Sequence, residues 1–281
     1  MTNYTFNTPQ PVALEIKSIA GDVKVRATTT NITSVNVSGR YADEMIVTQT
    51  GATITIRSPH ADGLDGLFLG GLIRRHRRID ITVEVPVGSD LALSLGAGDT
   101  SITGPFGRVE VRPGAGCVHL GQAAGETIVH LGAGSITVDT ITGSARLVTG
   151  AGSIKVGDVV GDAQLQVATG EIDINTIAGA VRAKTSAGSL HAGTVAGDLT
   201  AEMSVGGATI DRISAGHLTF KGTSGGVKVG VVAGTPTWTD LSTMTGRVVN
   251  NLPSVGQPAP GQNHVELRIS TVSGGIELNP V

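Results

Sequence analysis

Apolar and polar side chains alternate over short runs along most of the chain. In the stretch GSITVDTITGSARLVTGA from Gly134, one polar residue separates Ile136 from Val138 and another separates Ala145 from Leu147. An alternation with a period of two is typical of a strand with one buried face. Gly, Asp, Asn and Thr interrupt the runs after about four to six residues, too few for an ordinary helix. The pattern therefore predicts short strands joined by tight bends.

Glycine recurs every 18 residues through the middle of the chain. Two series, offset by nine residues, share this spacing: Gly98, Gly116, Gly134, Gly152, Gly170, Gly188 and Gly206 in one, and Gly107, Gly125, Gly143, Gly161, Gly179 and Gly197 in the other. A fixed period of this length is the signature of stacked supersecondary units. At about 3.3 Å per strand residue, one unit follows a closed path of roughly 60 Å, which suits a coil with short faces.

The repeat predicts an all-β fold, a single-stack parallel β-solenoid (β-helix) with about 18 residues per coil. Its coils pair at about 4.8 Å, and a right-handed coil is expected by analogy with parallel crossover connections. The chain has four Phe, two Tyr and one Trp, so we expect an interior of small and branched side chains that is too narrow for rings. The 41 glycines, about twice the usual share, are then bends of a rigid stack.

We expect one solenoid domain over residues 1–281, with two segments ejected as loops. Residues 59–78 leave the period, and residues 252–262 are rich in Pro and Gly; such segments run over protein surfaces. The strand pattern resumes after each loop, and residues 16–25 have the pattern of an early, less regular coil. Because the pattern continues to Leu278, near the C-terminus, it also suggests end-to-end self-association at that end.

A family resemblance is carried by the segment IDITVEVPVGSDL (79–91) and by the Gly-x-Ile-x-Val units behind it. These residues resemble the bacterial β-strand-repeat proteins of a "putative adhesin" family, which is named by a domain of unknown function. The resemblance covers most of the chain. It implies a β-helix fold and a role in surface or envelope interactions, and it implies no catalytic residue. Family members with an attached membrane segment differ from this chain.

Charge and cysteine content exclude several classes of function. A net charge of −3 provides no general electrostatic basis for binding nucleic acid. Cys117, the single cysteine, can close no intramolecular disulfide and no cysteine-based zinc site. The seven histidines lack ligand spacing, so we expect neither a metal nor a cofactor. Since the start lacks a signal-peptide pattern and no stretch of about 18 apolar residues occurs, the chain as written is expected in the cytoplasm.

Outward side chains 18 residues apart should stack in columns. One column is His119, Thr137, Lys155, Asp173, His191 and Thr209, with Glu171 beside it. The sharper hypothesis is a β-helix carbohydrate lyase or hydrolase that uses Lys155, Glu171, Asp173 and His191, since glycoside hydrolysis needs two carboxyl groups about 5 to 9.5 Å apart. We favour a solvated ladder with no catalytic residue, in which Lys155 and His191 offset Asp173. The opposite columns, Arg146, Gln164, Arg182 and Thr200 with His130, Gln166, Lys184 and Glu202, have the mixed charges of a solubilising surface.

An apolar run followed by a basic cluster is the most unusual local feature. Its members are Leu64, Leu67, Phe68, Leu69, Leu72 and Ile73, then Arg74, Arg75, His76, Arg77 and Arg78. Such a segment can cap an open solenoid end, contact a partner or second subunit, or bind an anionic membrane surface. Trp238 lies where the period lengthens. We expect it to pack beneath its own loop or to seal the stack, with stacking on a sugar ring as the alternative.

These observations predict a non-enzymatic scaffold or adhesin-like binding protein that presents a rigid repeat surface. A protein partner, a glycan or a second copy of the chain would bind it. The predicted interaction residues are Leu67, Phe68, Leu72, Ile73, Arg74, Arg75, Arg77, Arg78 and Trp238. Two alternatives stay open: a β-helix carbohydrate-active enzyme, and a peripheral membrane protein that binds through the apolar and basic segment at 64–78.

Overall fold

Strands form nearly all of the regular structure in the computed structural model, which describes residues 2–59, 79–254, 256 and 261–281. A 3-10 helix at Ala42–Glu44 is the one helical turn among these residues. The predicted all-β parallel solenoid is confirmed, while its handedness stays a prediction. Two compact units make up the chain, unit 1 (residues 1–138) and unit 2 (residues 139–281). That both belong to one domain stays a prediction as well.

The described part of unit 1 contains ten strands and the start of an eleventh. They are β1 (Thr2–Asn7), β2 (Ala13–Ala20), β3 (Val23–Thr28), β4 (Ile32–Gly39), β5 (Ile46–Thr50), β6 (Thr53–Arg57), β7 (Ile79–Pro86), β8 (Asp90–Ala97), β9 (Thr100–Thr103), β10 (Arg108–Ala123) and β11 (Glu126–Ile141). The last of these continues from unit 1 into unit 2.

Eleven further strands lie in the residues of unit 2 that the structure describes. They are β12 (Ser144–Val159), β13 (Asp162–Ile177), β14 (Ala180–Val195), β15 (Asp198–Val205), β16 (Ala208–Ile213), β17 (Gly216–Ser224), β18 (Val227–Val231), β19 (Thr237–Thr245), β20 (Val248–Asn250), β21 (Val265–Ser273) and β22 (Ile276–Pro280). The segment between β20 and β21, predicted as a loop, is described only in part.

The central coils of unit 2 stack in the register that the repeat predicts. Ser144 pairs with Asp162, Asp162 with Ala180 and Ala180 with Asp198, each in parallel and 18 residues further along the chain. Columns of apolar side chains fill the interior, because every second residue of each strand points inward. Ile154, for example, pairs with Ile172, and both are almost fully buried.

The predicted strand length of four to six residues is wrong for these coils, because β12, β13 and β14 each run for 16 residues. Pairing continues through one of the two glycine bends. Gly152 pairs with Gly170 and Gly170 with Gly188, at φ values of 135°, 140° and 148°. All coils turn at the same point with the same backbone conformation, so the ladder is not interrupted there. Only the bend of the other glycine series separates one strand from the next.

The interior of unit 2 is wide enough for one aromatic ring. Phe220 is 1% exposed, which contradicts the expectation that the coil excludes rings. In the stack, Phe220 pairs with Ala201, and Ala201 pairs with Ala183. A Cβ on Gly222 would lie 2.6 Å from the Phe220 ring. Two alanines and one glycine thus leave the volume that the ring occupies, as close packing requires.

The N-terminal strands of unit 1 do not stack in chain order. β2 lies between β8 and β6, since Leu14 pairs in parallel with both Leu91 and Ile54. β3 lies between β9 and β7 in the same way. Residues 16–25 therefore do belong to a coil, as predicted, but its neighbours lie far along the chain. The strand pattern that begins at residue 79 does not form a regular parallel coil, because β7 pairs with the antiparallel β4 on its far side.

The C-terminal strands of unit 2 are also inserted into the stack. Leu267 on β21 pairs with Leu218 on β17 and with Thr239 on β19, and β22 lies between β18 and β20. Leu278, up to which the strand pattern suggested end-to-end self-association, is fully buried, and the self-association itself stays a prediction. The more apolar β21 and β22 occupy the inner position, and β19, rich in Thr, lies outside them.

Candidate functional site

A histidine between two carboxylates lies on one outward face of unit 2. The Nδ1 atom of His191 on β14 is 2.8 Å from Oδ1 of Asp173 on β13, and its Nε2 atom is 2.9 Å from Oδ2 of Asp211 on β16. Asp173 and His191 meet because they are paired in register. About half of each of the three side chains is exposed.

The two carboxylates raise the pKa of His191 above its usual value of about 6.5. The hydrogen bond with Asp173 contributes most, followed by the bond with Asp211, and both outweigh partial burial. An ionised carboxylate can only accept a hydrogen bond, and both ring nitrogens of histidine carry a proton only in the imidazolium form. Two carboxylates at the two nitrogens therefore favour the imidazolium form. A general base needs a free ring nitrogen directed at the substrate. Both nitrogens of His191 already have partners, so this geometry is poorly suited to general base catalysis.

Lys155 and Glu171, the other two residues of the hypothetical catalytic site, lie on the same face and do not contact His191. Lys155 is the register partner of Asp173 on β12, and no ion pair joins the two among the described residues. Glu171 has Ser153 and Ser189 as its register partners and points into solvent. Of the four predicted residues, the structure therefore brings only Asp173 and His191 into contact. A catalytic role for these four residues stays a hypothesis.

A second outward face of unit 2 is formed by the first halves of β12–β15. We call it the ladder face and define it by seven side chains: Arg146, Gln164, Arg182, Thr200, Gln166, Lys184 and Glu202. Arg146, Gln164, Arg182 and Thr200 follow one another in register. All seven line a shallow, open cavity of about 400 Å³. From the sequence, only a solubilising surface is predicted here, because columns of side chains do not by themselves show that the side chains enclose a cavity.

Positive charge exceeds negative charge on the ladder face. Arg146 donates from Nη1 to Oε1 of Gln164 at 3.0 Å, an amide that leaves the guanidinium charge uncompensated. The Nζ atom of Lys184 lies 3.3 Å from Oε2 of Glu202, so these two charges form an ion pair. Arg182 has no carboxylate partner within the part of the chain that the structure describes. Two arginines and two side-chain amides are thus available to hydrogen-bond a ligand that carries carboxylate or hydroxyl groups.

Trp238 lies on the outer side of β19 and is 52% exposed, so it does not pack beneath a loop as expected. The guanidinium of Arg268 on β21 lies 5.3 Å from the centre of its ring, within the range of a cation–π contact. Nearby, His217 Nδ1 is 2.8 Å from Oδ1 of Asp198. This hydrogen bond lowers the pKa of Asp198 below its usual range.

The remaining predicted interaction residues lie outside the described residues. They are Leu67, Phe68, Leu72, Ile73, Arg74, Arg75, Arg77 and Arg78, and their roles stay predictions. Cys117 is exposed as a free thiol, and its backbone N–H donates to Asp99. Across the described ranges, no three His, Cys, Asp or Glu side chains are placed to hold a metal ion. None of the helical segments described has the length and apolarity to cross a lipid bilayer.

Solved structures of low sequence identity are similar over nearly the whole chain. A "putative adhesin" from Bacteroides fragilis is 11% identical over 99% of this chain and 96% of its own, with a TM-score of 0.40. A second "putative adhesin", from Parabacteroides merdae, is 9% identical over 99% and 95%, with a TM-score of 0.32. A "putative lipid binding protein" from Parabacteroides distasonis is 11% identical over 99% and 96%, with a TM-score of 0.28. Scores of this size support no functional argument.

The family assignment comes from the sequence profile. No curated protein matches the chain. The profile of the Toastrack DUF4097 family matches residues 12–204, a range that includes the segment at 79–91 and the regular 18-residue repeats. The resemblance inferred from those residues is confirmed, and this chain belongs to the Toastrack DUF4097 family.

Proposed function

We propose that this protein is a non-enzymatic binding protein whose ladder face recognises an extended acidic glycan. The observation that carries the proposal is the cavity of about 400 Å³ lined by Arg146, Arg182 and Lys184. Only one carboxylate, that of Glu202, accompanies these three cations in the lining. Guanidinium groups bind carboxylates through paired, charge-assisted hydrogen bonds, and the intervening amides of Gln164 and Gln166 bind hydroxyl groups.

The solenoid backbone fixes the spacing of these side chains. Neighbouring strands lie about 4.8 Å apart, which is comparable with the length of one sugar ring in a polysaccharide. A ligand that extends across the strands therefore meets a similar set of polar groups at each step. Because the ladder holds the backbone in place before binding, less conformational entropy is lost on association. The open shape of the cavity suits a polymer better than an enclosed small molecule.

The environment of His191 supports a non-enzymatic role. Asp173 and Asp211 occupy both ring nitrogens, and the three side chains are about half exposed, whereas catalytic groups usually lie in a pocket that excludes water. The carbohydrate-active alternative is tested by incubating the protein with acidic and neutral polysaccharides and measuring new reducing ends. Activity that is lost on D173N would contradict our proposal.

Affinity electrophoresis in gels containing polygalacturonate tests the binding site, with neutral dextran as the comparison polymer. We expect the wild-type protein to be retarded by polygalacturonate only, and less so as salt is added. The variant R182Q should bind roughly tenfold more weakly, since it removes a charge-assisted hydrogen bond. The matched control K155Q removes one positive charge from the other outward face and should bind like wild type. Equal losses in both variants would contradict a site on the ladder face.

A second candidate function rests on the apolar and basic segment at 64–78. Four arginines within five positions, directly after an apolar run, favour binding to an anionic membrane surface. The protein would then co-sediment with vesicles that contain anionic phospholipid, and added salt would release it. Changing Arg74 and Arg75 to Gln should abolish co-sedimentation and leave retardation by polygalacturonate unchanged. No sedimentation at low salt would remove this function.

A further inference from the structure

β19, at the end of the stack in unit 2, has a long edge that no described strand covers. β19 pairs with β21 along its whole length, from Thr237 with Val265 to Thr245 with Ser273. On its other side, no strand pairs with it among the residues that the structure describes. An unpaired edge of nine residues exposes a row of backbone donors and acceptors, which proteins usually protect with lysine, proline or a bulge. β19 has none of these, since its residues are TWTDLSTMT and its register with β21 has no shift.

The outer side of β19 carries two large apolar side chains. Trp238 is 52% exposed and Met244 is 80% exposed, with Asp240 and Ser242 between them on the same side. The inward residues Thr239 and Leu241 are only half-buried, because this coil has no described neighbour beyond it. A cavity of about 280 Å³ opens beside them, and Thr239 and Leu252 are part of its lining. The end of the stack thus leaves both apolar and backbone groups in contact with water.

We propose that β19 pairs in antiparallel fashion with β19 of a second copy of this chain, about a twofold axis at Leu241. In this register Trp238 lies opposite Met244 of the second copy, and Met244 opposite its Trp238. Each pair joins a sulfur to an aromatic ring, which is a favourable contact. Asp240 lies opposite Ser242, so no like charges meet. The inward residues continue the core across the axis, with Leu241 opposite its own copy. The strand is therefore self-complementary, as a twofold interface requires.

Neighbouring registers are less favourable. An axis at Asp240 would place this carboxylate opposite its own copy, and like charges directly opposite each other are destabilising. An axis at Ser242 would place Trp238 opposite Gly246 and Asp240 opposite Met244, so both sulfur–aromatic pairs would be lost. A shift by one residue would turn inward side chains outward. The pattern of charged and apolar residues on β19 thus favours one register of antiparallel pairing, and the strand that fits this register is β19 of a second copy of the chain.

Sedimentation velocity across a concentration series tests the interface with the full-length protein. We expect a reversible monomer–dimer equilibrium for wild type. M244A removes both sulfur–aromatic pairs across the axis and should shift the equilibrium toward monomer, while its exposed position spares the fold. V205A is the matched control, since Val205 is 56% exposed on a strand inside the stack, and it should dimerise like wild type. Circular dichroism of each variant verifies that it is folded.

The charge of residue 242 tests the register itself. S242K creates two ion pairs with Asp240 across the axis and should tighten the dimer, whereas S242D creates two repulsive pairs and should weaken it. The dissociation constants of the two variants should differ on the order of tenfold at low salt. A wild-type chain that stays monomeric, open-ended oligomers in place of dimers, or equal dissociation constants for S242K and S242D would overturn the proposal.

Discussion

Single glycines determine how closely the coils of unit 2 approach each other. At Gly170 the φ angle is 140°, a conformation that is almost restricted to glycine. A Cβ atom on this residue would lie 1.7 Å from the carbonyl oxygen of Gly152 in the preceding coil. Two independent constraints therefore apply at the same position, one from the backbone angle and one from the neighbouring backbone. The same pair of constraints recurs at Gly188, which explains why this glycine series is strictly periodic.

We predict that G170A destabilises the protein by at least about 2 kcal/mol, because the strained angle and the displaced carbonyl both raise the energy of the folded state. The control is G234A. Gly234 also has a positive φ, of 81°, but a Cβ there would meet no atom within 4 Å. G234A should therefore lower the free energy of unfolding by about 1 kcal/mol. Urea unfolding followed by circular dichroism measures both. Similar losses of unfolding free energy in G170A and G234A would contradict a destabilising contact between the added Cβ and the neighbouring coil.

The contacts of His191 predict a pH-dependent contribution to stability. Its pKa is raised in the folded state, so its stabilising effect is fully present below the unfolded value of about 6.5 and is lost as the pH rises through the folded value. The difference in unfolding free energy between wild type and H191Q should therefore be larger at pH 6 than at pH 9. Because the groups are about half exposed, we expect it to remain below about 1 kcal/mol.

Denaturant titrations of wild type and H191Q at both pH values measure this difference. H264Q serves as the control, because His264 is exposed in the same unit and none of the described acidic side chains contacts it. At pH 6 the loss of unfolding free energy in H264Q should be smaller than in H191Q, because His264 lacks the two carboxylate hydrogen bonds of His191. A difference for H191Q that grows with pH would contradict the role assigned to Asp173 and Asp211.

At the scale of elements, the position of β21 is decided by which strand buries more apolar surface. Val265, Leu267 and Ile269 of β21 are at most 1% exposed, whereas β19 offers mainly threonines to the interior. Placing β21 between β17 and β19 covers its apolar residues on both sides. The opposite order would leave them at the end of the stack, at a cost of about 25 cal/mol for each Å² of apolar surface exposed.

We predict that L267A costs about 2–5 kcal/mol, the usual range for removing a fully buried leucine side chain. L241A, on the outermost strand β19, should cost about 1 kcal/mol, since Leu241 is only half-buried. Urea unfolding of both variants tests the order of the strands. If the strands stacked in chain order, β21 would be outermost and L267A would be the milder substitution.

At the scale of the whole molecule, the inserted strands make the fold depend on distant pairings. In unit 1, Leu14 pairs with Leu91, 77 residues later. In unit 2, Gly216 pairs with Val265, so the stack cannot be completed until the end of the chain is in place. Such contacts require loop closure before any stabilising pairing is gained, which slows folding.

We therefore predict that refolding on dilution from urea takes seconds or longer and passes through intermediates. Far-UV circular dichroism after rapid mixing measures the rate. A variant that ends at residue 264 lacks β21 and β22, so its β19 should lose protection against hydrogen exchange. Complete refolding within milliseconds, or full protection of β19 in the shortened chain, would contradict the inserted order.

The candidate sites were predictable only where two side chains pair directly in the 18-residue register. Asp173 and His191 are one period apart, so their contact follows from the sequence. Asp211 lies 20 residues after His191, in the column next to the one that contains His191, so pairing in register did not predict this diagonal contact. The cavity of the ladder face was missed for another reason. Its residues were placed correctly in columns, but periodicity contains no information about the conformations of Arg146 and Arg182 that enclose the space.

The repeat, the inward and outward faces, the bends and the family can all be inferred from the amino-acid sequence. Each of these depends on residues close together in the chain, such as an alternation of apolar side chains or a glycine at a bend. Tertiary structure alone decided which strands are neighbours and which strand is left at the end. The pattern of a parallel strand shows which side is buried but does not identify the strand beside it. That choice depends on how much apolar surface each order buries, a property of the whole stack.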